Sequence, residues 1–294
     1  MSEVKEVIVY IDFGECELKV VAYAARLAQI FDAELTLMHT LHTGYDYFEV
    51  GGYGKSIEVA YERALLKARR LIDEYISEIN KVFPINIRKK LASGHPIDEF
   101  INFVNARNGL AVLPNHVKSR KIRFISPKIV HKAIRKLHTN MVFVDGEFLP
   151  RIDRIHIEKV LVPVDFSEYS KAALKFALQL GAKVHAITVI HPPRFSPDLL
   201  DEVELDYNEF ISAIEYEARK KLDDLVKEVG GKDVETEVVE GEPPQKILEA
   251  SREKFDLIVM GIKGRSKSEK LIVGGVTEQV VEFSEVPVAV IRSF

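Results

Sequence analysis

The chain has a single cysteine, Cys16, among 294 residues, so it can form no internal disulfide and suits a reducing compartment. It contains no apolar run of the roughly 18 residues that a membrane-spanning helix needs. The opening Met1-Ser2-Glu3-Val4-Lys5-Glu6 leads at once into an apolar strand, without the pattern of a secretion signal. The expectation is a soluble, cytoplasmic protein that does not contact membrane. Neither sign of charge dominates. With 41 Lys and Arg against 45 Asp and Glu, the net charge is −4, and nothing in the whole chain calls for nucleic acid as a partner. The motifs of dedicated catalysis are missing too: no GxSxG elbow, no HExxH and no Cys/His set. This leaves a binding module as the first expectation and an enzyme as the second.

What is present is ordinary globular material, 47% hydrophobic and 29% charged, in a length that suggests two domains. Abundant Lys, Glu, Ile and Val with few Gln is a bias found in heat-stable proteins. The two halves repeat each other. Ile8-Val9-Tyr10-Ile11-Asp12-Phe13 matches Leu161-Val162-Pro163-Val164-Asp165-Phe166, each an apolar run ending in Asp-Phe. Each is followed by a helical face, Val21, Ala24, Ala25 and Ala28 in one copy, Ala173, Phe176, Ala177 and Leu180 in the other. From Ser93-Gly94-His95-Pro96 and Glu240-Gly241-Glu242-Pro243 onward, the halves align without a gap at an offset of 147. Strands alternate with long helical patterns, 57–82 and 209–229 among them. That order predicts α/β architecture: two tandem, doubly wound parallel sheets with helices on both faces, Rossmann-like. The expected domains are 1–150 and 155–294, with a linker near 146–158 where Gly, Pro and charge replace apolar periodicity.

In doubly wound sheets ligands bind beyond the carboxyl ends of the strands, at the point where strand order reverses. Asp12, Asp165 and the loops after Leu113 and Met260 sit at such ends. The last of these reads Met260-Gly261-Ile262-Lys263-Gly264-Arg265, continues through Lys267 and Lys270, and reaches Gly274-Gly275-Val276-Thr277 at the start of a probable helix pattern. Glycine admits close backbone approach, and a helix start adds N–H donors and partial positive charge. With its cations the loop suits a phosphate chain. It is neither a P-loop nor the dinucleotide GxGxxG. A tight strand-to-helix connection with a solvated charged face explains the same glycines.

The spacing Gly261-x2-Gly264-x9-Gly274 resembles the ATP-binding signature of the universal stress protein family, G-2x-G-9x-G followed by Ser or Thr. Val162-Pro163-Val164-Asp165-Phe166, Gly241-Glu242-Pro243 and Val286-Pro287-Val288-Ala289-Val290-Ile291 are similar to further parts of that family. The likeness covers the second half well and the first loosely, as in a tandem universal stress protein packed as a pseudo-dimer. It implies ATP as the ligand, with Mg2+ or Mn2+ in attendance. Asp165 would meet ribose or adenine, Pro163 and Val164 would line the same pocket, and Val189 would face adenine. Met260 would lie near the ribose, and Gly261 and Gly264 would bracket the phosphates with Lys263 and Arg265. Gly274, Gly275, Val276 and Thr277 would present amides, and one hydroxyl, to the phosphates. Gly275 departs from the family's Ser or Thr, losing one hydroxyl donor.

In the first copy the three glycine positions hold Pro114, Val117 and Pro127, which removes the cradle, and Asp12 reads as a strand-end cap. The loop is therefore expected to serve one nucleotide per chain. The alternatives left open are a slow ATPase or phosphoryl- or adenylyl-transfer enzyme, and a scaffold that binds no nucleotide. Further pairing of chains through the edge strands Met141–Asp145 or Val286–Arg292 is an open alternative, since exposed edges invite pairing, and the sequence names no protein partner. Eight cations and no acid lie between Pro114 and Asn140, read as a solvated face or as an anion-binding patch. The Gly- and Tyr-rich stretch Thr43–Lys55 reads as an exposed crossover loop. His39, His42, His185 and His191 lack any known metal-ligand spacing.

Overall fold

A computed structural model describes residues 4–14, 16–42, 54–115, 127–191, 206–252, 255–264 and 273–292, with only the backbone of 54–57 and 127–129. Thr43–Tyr53, Val117 and Arg265 lie outside the described residues, as do residues 116–126 of the basic stretch after Pro114. The chain divides into two compact units, Met1–His156 and Ile157–Phe294.

Unit 1 runs β1 (Glu6–Tyr10), α1 (Glu17–Phe31), β2 (Glu34–Leu41), α2 (Gly54–Asn80), β3 (Ile87–Ser93), α3 (Pro96–Arg107), β4 (Leu110–Pro114), α4 (Pro127–Lys136) and β5 (Met141–Val144). All its pairs are parallel, in the order β3-β2-β1-β4-β5. Unit 2 repeats this with β6 (Lys159–Pro163), α5 (Glu168–Gln179), β7 (Lys183–Ile190), α6 (Tyr207–Glu228), β8 (Val234–Glu240), α7 (Pro243–Ser251), β9 (Leu257–Gly261), α8 (Gly275–Phe283) and β10 (Val288–Ile291). Its parallel order is β8-β7-β6-β9-β10. The central strands are apolar without alternation because helices cover both faces: Val7, Ile8 and Val9, like Val160, Leu161 and Val162, are fully buried. In each unit the strand order reverses between the first and fourth strands, which opens a crevice at their carboxyl ends.

Local chemistry sets the element ends. Asp206 caps α6 by accepting from the Asn208 and Glu209 amides at 2.8 and 3.2 Å. Pro96 and Pro243 open α3 and α7, where the missing N–H costs nothing. After each strand-end aspartate a phenylalanine takes a left-handed conformation, Phe13 at φ 60 and Phe166 at φ 64. The aspartate braces that turn: Asp12 accepts from the Gly14 amide at 3.0 Å and Asp165 from the Ser167 amide at 3.1 Å.

The segment expected as a linker belongs largely to unit 1. Lys19 donates to the Leu149 carbonyl at 2.7 Å and Arg26 to that of Ile155 at 3.0 Å, so 149–155 is fastened along α1 by cations that periodicity does not register. Gly146 also packs on Cys16, close enough that a Cβ would lie 2.7 Å from its carbonyl oxygen. Among the described residues no helix is long and apolar enough to cross a membrane.

Candidate functional site

In unit 2 the crevice between β6 and β9 is a cavity of about 340 Å³. Pro163, Val164 and Asp165 reach it from the end of β6, Val189 from β7, and Met260, Gly261, Lys263 and Gly264 from β9 and the turn after it. Gly274, Gly275, Val276 and Thr277 close it at the start of α8. Every described residue singled out from the sequence lines this one space. Pro243 of the Gly241-Glu242-Pro243 stretch lines it as well, and so do Ser170, Ile187 and Ile247, which the sequence does not mark. Their apolar or small side chains recur at core spacing, so in the sequence they cannot be told from ordinary core residues.

Two glycines are required by close approach. A Cβ at Gly264 would collide with Asp165 Oδ2, and one at Gly261 would lie 2.6 Å from the Tyr169 Cβ. Neither has positive φ, so contact and not backbone conformation demands glycine here. Gly275 is the opposite case: a Cβ there meets nothing within 4 Å among the described residues. The α8 start therefore leaves open space in front of its first turn, where helix N–H groups lack intrahelical partners.

Two expected donors are committed inside the protein. The Gly274 amide donates to the Ile262 carbonyl at 2.9 Å, which pins the start of α8 to the turn after β9. The Thr277 hydroxyl, buried, donates to the Gly261 carbonyl at 2.9 Å. Its proton is thus withdrawn from the donor set expected of it, and the backbone amides of Gly275, Val276 and Thr277 remain. Asp165 also has internal work: its Oδ1 accepts from the Ser167 hydroxyl at 2.6 Å, and Ser167 Oγ caps α5 by accepting from the Ser170 amide at 3.2 Å. The Lys263 ammonium lies 5.4 Å from the centre of the Tyr169 ring at the cavity wall. The lining thus combines apolar side chains, Ile187, Ile247 and Met260 among them, with backbone amides and one cation.

The corresponding place in unit 1 is built differently. The strand ends superpose in hydrogen bonding: the Ile11 amide donates to the Met38 carbonyl as Val164 does to Ile187, and Asn115 to Val144 as Ile262 does to Ile291. Where unit 2 has Ser170, unit 1 has Glu17, 1% exposed, accepting from the Asp12 and Gly14 amides at 2.9 and 3.0 Å. Burial, then the hydrogen bond and charge of Asp12, hold its carboxyl well above the usual carboxylate range. Asp12 is thereby a brace for its turn, and Pro114 stands where Gly261 lines the cavity. The four histidines go to separate partners: His39 to the Ile11 carbonyl, His42 to that of Gly94, His185 to Glu235 and Glu237, His191 to Glu242. Among the described residues no group of three or more acidic, Cys or His side chains could hold a metal ion.

Residues 156–292 match the sequence profile of the universal stress protein family. The chain is 33% identical over 172 residues to universal stress protein MJ0531 of Methanocaldococcus jannaschii, covering 54% of this chain and 92% of that one. It belongs to the universal stress protein family. Stress response protein NhaX of Bacillus subtilis is 29% identical over 169 residues, covering 47% of this chain and 99% of the relative. Each relative thus spans about one unit of this universal stress protein. A solved universal stress protein from Archaeoglobus fulgidus matches 98% of both chains with a TM-score of 0.66 at 18% identity, which extends the fold across both units.

Proposed function

We propose that unit 2 of this universal stress protein binds one adenine nucleotide, with ATP favoured over shorter adenylates, as a non-enzymatic, nucleotide-responsive module of the cytoplasm. The observation that carries this is the pairing of the space before Gly275 with the amides of Gly275, Val276 and Thr277, which have no acceptor among the described residues. An anion is stabilised there by oriented N–H groups and the helix dipole. The apolar part of the lining, with Ile187, Ile247 and Met260, suits a flat ring, and the cavity's size falls within the range of small-molecule sites. Lys263 adds charge that rewards additional phosphates. Mg2+ or Mn2+ would accompany the phosphates, neutralising them without requiring a protein carboxylate cluster. The two units are read as a covalent pair in which only one carries a phosphate cradle.

Titration of nucleotide-stripped protein with Mg-ATP by calorimetry tests this. Saturation near one ATP per chain is expected. No heat at millimolar ATP would reject the reading in favour of a scaffold. Sustained phosphate release in the same preparation would instead make the site enzymatic.

A further inference from the structure

In each unit one terminal strand pairs on one side only among the described residues: β3 with β2, and β8 with β7. Both are seven residues long. Such an edge leaves a row of N–H and C=O groups able to accept another strand.

The two edges carry opposite charge at matching positions. Glu6 pairs in register with Glu34 in unit 1, and Lys159 with Lys183 in unit 2. Arg88 lies opposite Thr36 and Lys90 opposite Met38; in the same register Glu235 lies opposite His185 and Glu237 opposite Ile187. Two equivalent edge positions thus invert sign between the units, and the two inner positions invert in the opposite sense. Strand β3, Ile-Arg-Lys-Lys-Leu-Ala-Ser, has three cations and no acid. Strand β8, Val-Glu-Thr-Glu-Val-Val-Glu, has three acids and no cation. These side chains reach solvent: Arg88 and Lys89 are 63% and 44% exposed, Glu235 and Glu237 83% and 46%. Within their own units Arg88 meets Glu34 at 2.7 Å and Lys89 meets Asp73 at 2.5 Å, while Glu235 and Glu237 share the single imidazole of His185.

Charge on an edge strand blocks unwanted pairing, and for that purpose either sign would serve on both edges. Opposite signs do something more selective. They repel β3 from β3 and β8 from β8, and they attract β3 to β8. We propose that the β3 edge of one copy of this chain docks on the β8 edge of a second copy, joining chains head to tail. Such a contact is heterologous, so it repeats from copy to copy and does not stop at a symmetric pair.

The test is sedimentation velocity of the full chain over a range of concentrations at about 0.02 M and about 0.5 M salt, where screening lengths differ several-fold. Self-association growing with concentration at low salt and receding at high salt is expected. Charge reversal of one edge, Arg88→Glu with Lys90→Glu, gives a chain with two acidic edges and should weaken association ~10-fold or more. Glu235→Lys with Glu237→Lys should do the same by making both edges basic. An equimolar mixture of these two variants should associate again, since each supplies the edge the other lacks. The neutral pair Arg88→Gln with Lys90→Gln gives the same direction with less perturbation, and circular dichroism confirms that each variant is folded. The proposal is overturned if the wild type keeps one mass at low salt, if either reversed variant associates as the wild type does, or if the mixture fails to regain association.

Discussion

Gly275 is the residue at which chemistry can be changed without disturbing packing, because a Cβ there meets nothing within 4 Å. Gly275→Ser should fold normally and tighten Mg-ATP binding by up to roughly tenfold, the worth of one neutral hydrogen bond of ~0.5–1.5 kcal/mol. Gly275→Asp should abolish binding in the same calorimetric assay, by placing a carboxylate where phosphate would sit. Its melting temperature should not fall, since an acid in the first turn of α8 favours the helix. Glu17 offers a second residue-scale prediction. Its folded-state carboxyl is held well above the ordinary range by burial and by Asp12. The folded protein therefore keeps a proton that the unfolded chain gives up near pH ~4.3. The stabilisation is complete below that pH and is lost as pH rises through the folded-state value. Glu17→Gln, which mimics the protonated form, should flatten this decline and stabilise the protein at alkaline pH in denaturant titrations. A wild-type stability that rises with pH over that span, unchanged in Glu17→Gln, would contradict it.

At the scale of elements, the site depends on how a strand end is fastened to the following helix. Ser167 holds both: it donates to Asp165 and caps α5. Ser167→Ala should cost ~1 kcal/mol, the usual worth of an N-cap, and should also weaken Mg-ATP binding by removing the hydroxyl bond to Asp165 and leaving only the residue-167 amide to hold that carboxylate beside Gly264. Stability loss with unchanged affinity would separate the cap from the site. Much at this scale was legible beforehand. The helical patterns 57–82 and 209–229 became Gly54–Asn80 and Tyr207–Glu228, and the strands at Leu110, Met141, Leu257 and Val288 begin at those residues. Periodicity sufficed because these elements bury one face or two against neighbours. The boundary between the units, after His156, falls inside the stretch expected as a linker, but periodicity gave no sign that 149–155 is held by Lys19 and Arg26 reaching across from α1.

For the whole molecule, division into two compact units predicts unfolding in more than one cooperative step. Scanning calorimetry is expected to resolve two transitions. Only one of them should rise with Mg-ATP, gaining ~2.7 kcal/mol at a ligand concentration near 100 times Kd. Equal shifts of both transitions would mean that unit 1 binds too. The reason to expect asymmetry lies in the first crevice, where Pro114 replaces Gly261 and the buried Glu17 replaces Ser170.

The sequence by itself determined the repeat, the parallel α/β class and the residues that gather at the end of β6 and β9, because strand, helix and turn chemistry are local and recur at matching spacing. Tertiary structure alone decided which donors remain for a ligand. The Gly274 amide and the Thr277 hydroxyl are spent on carbonyls at Ile262 and Gly261, partners brought near only when α8 packs against the turn after β9. It alone also separated the glycines that must stay small, Gly261 and Gly264, from Gly275, which faces open space. Identical residue types differ there because what surrounds a Cβ is set by the rest of the fold.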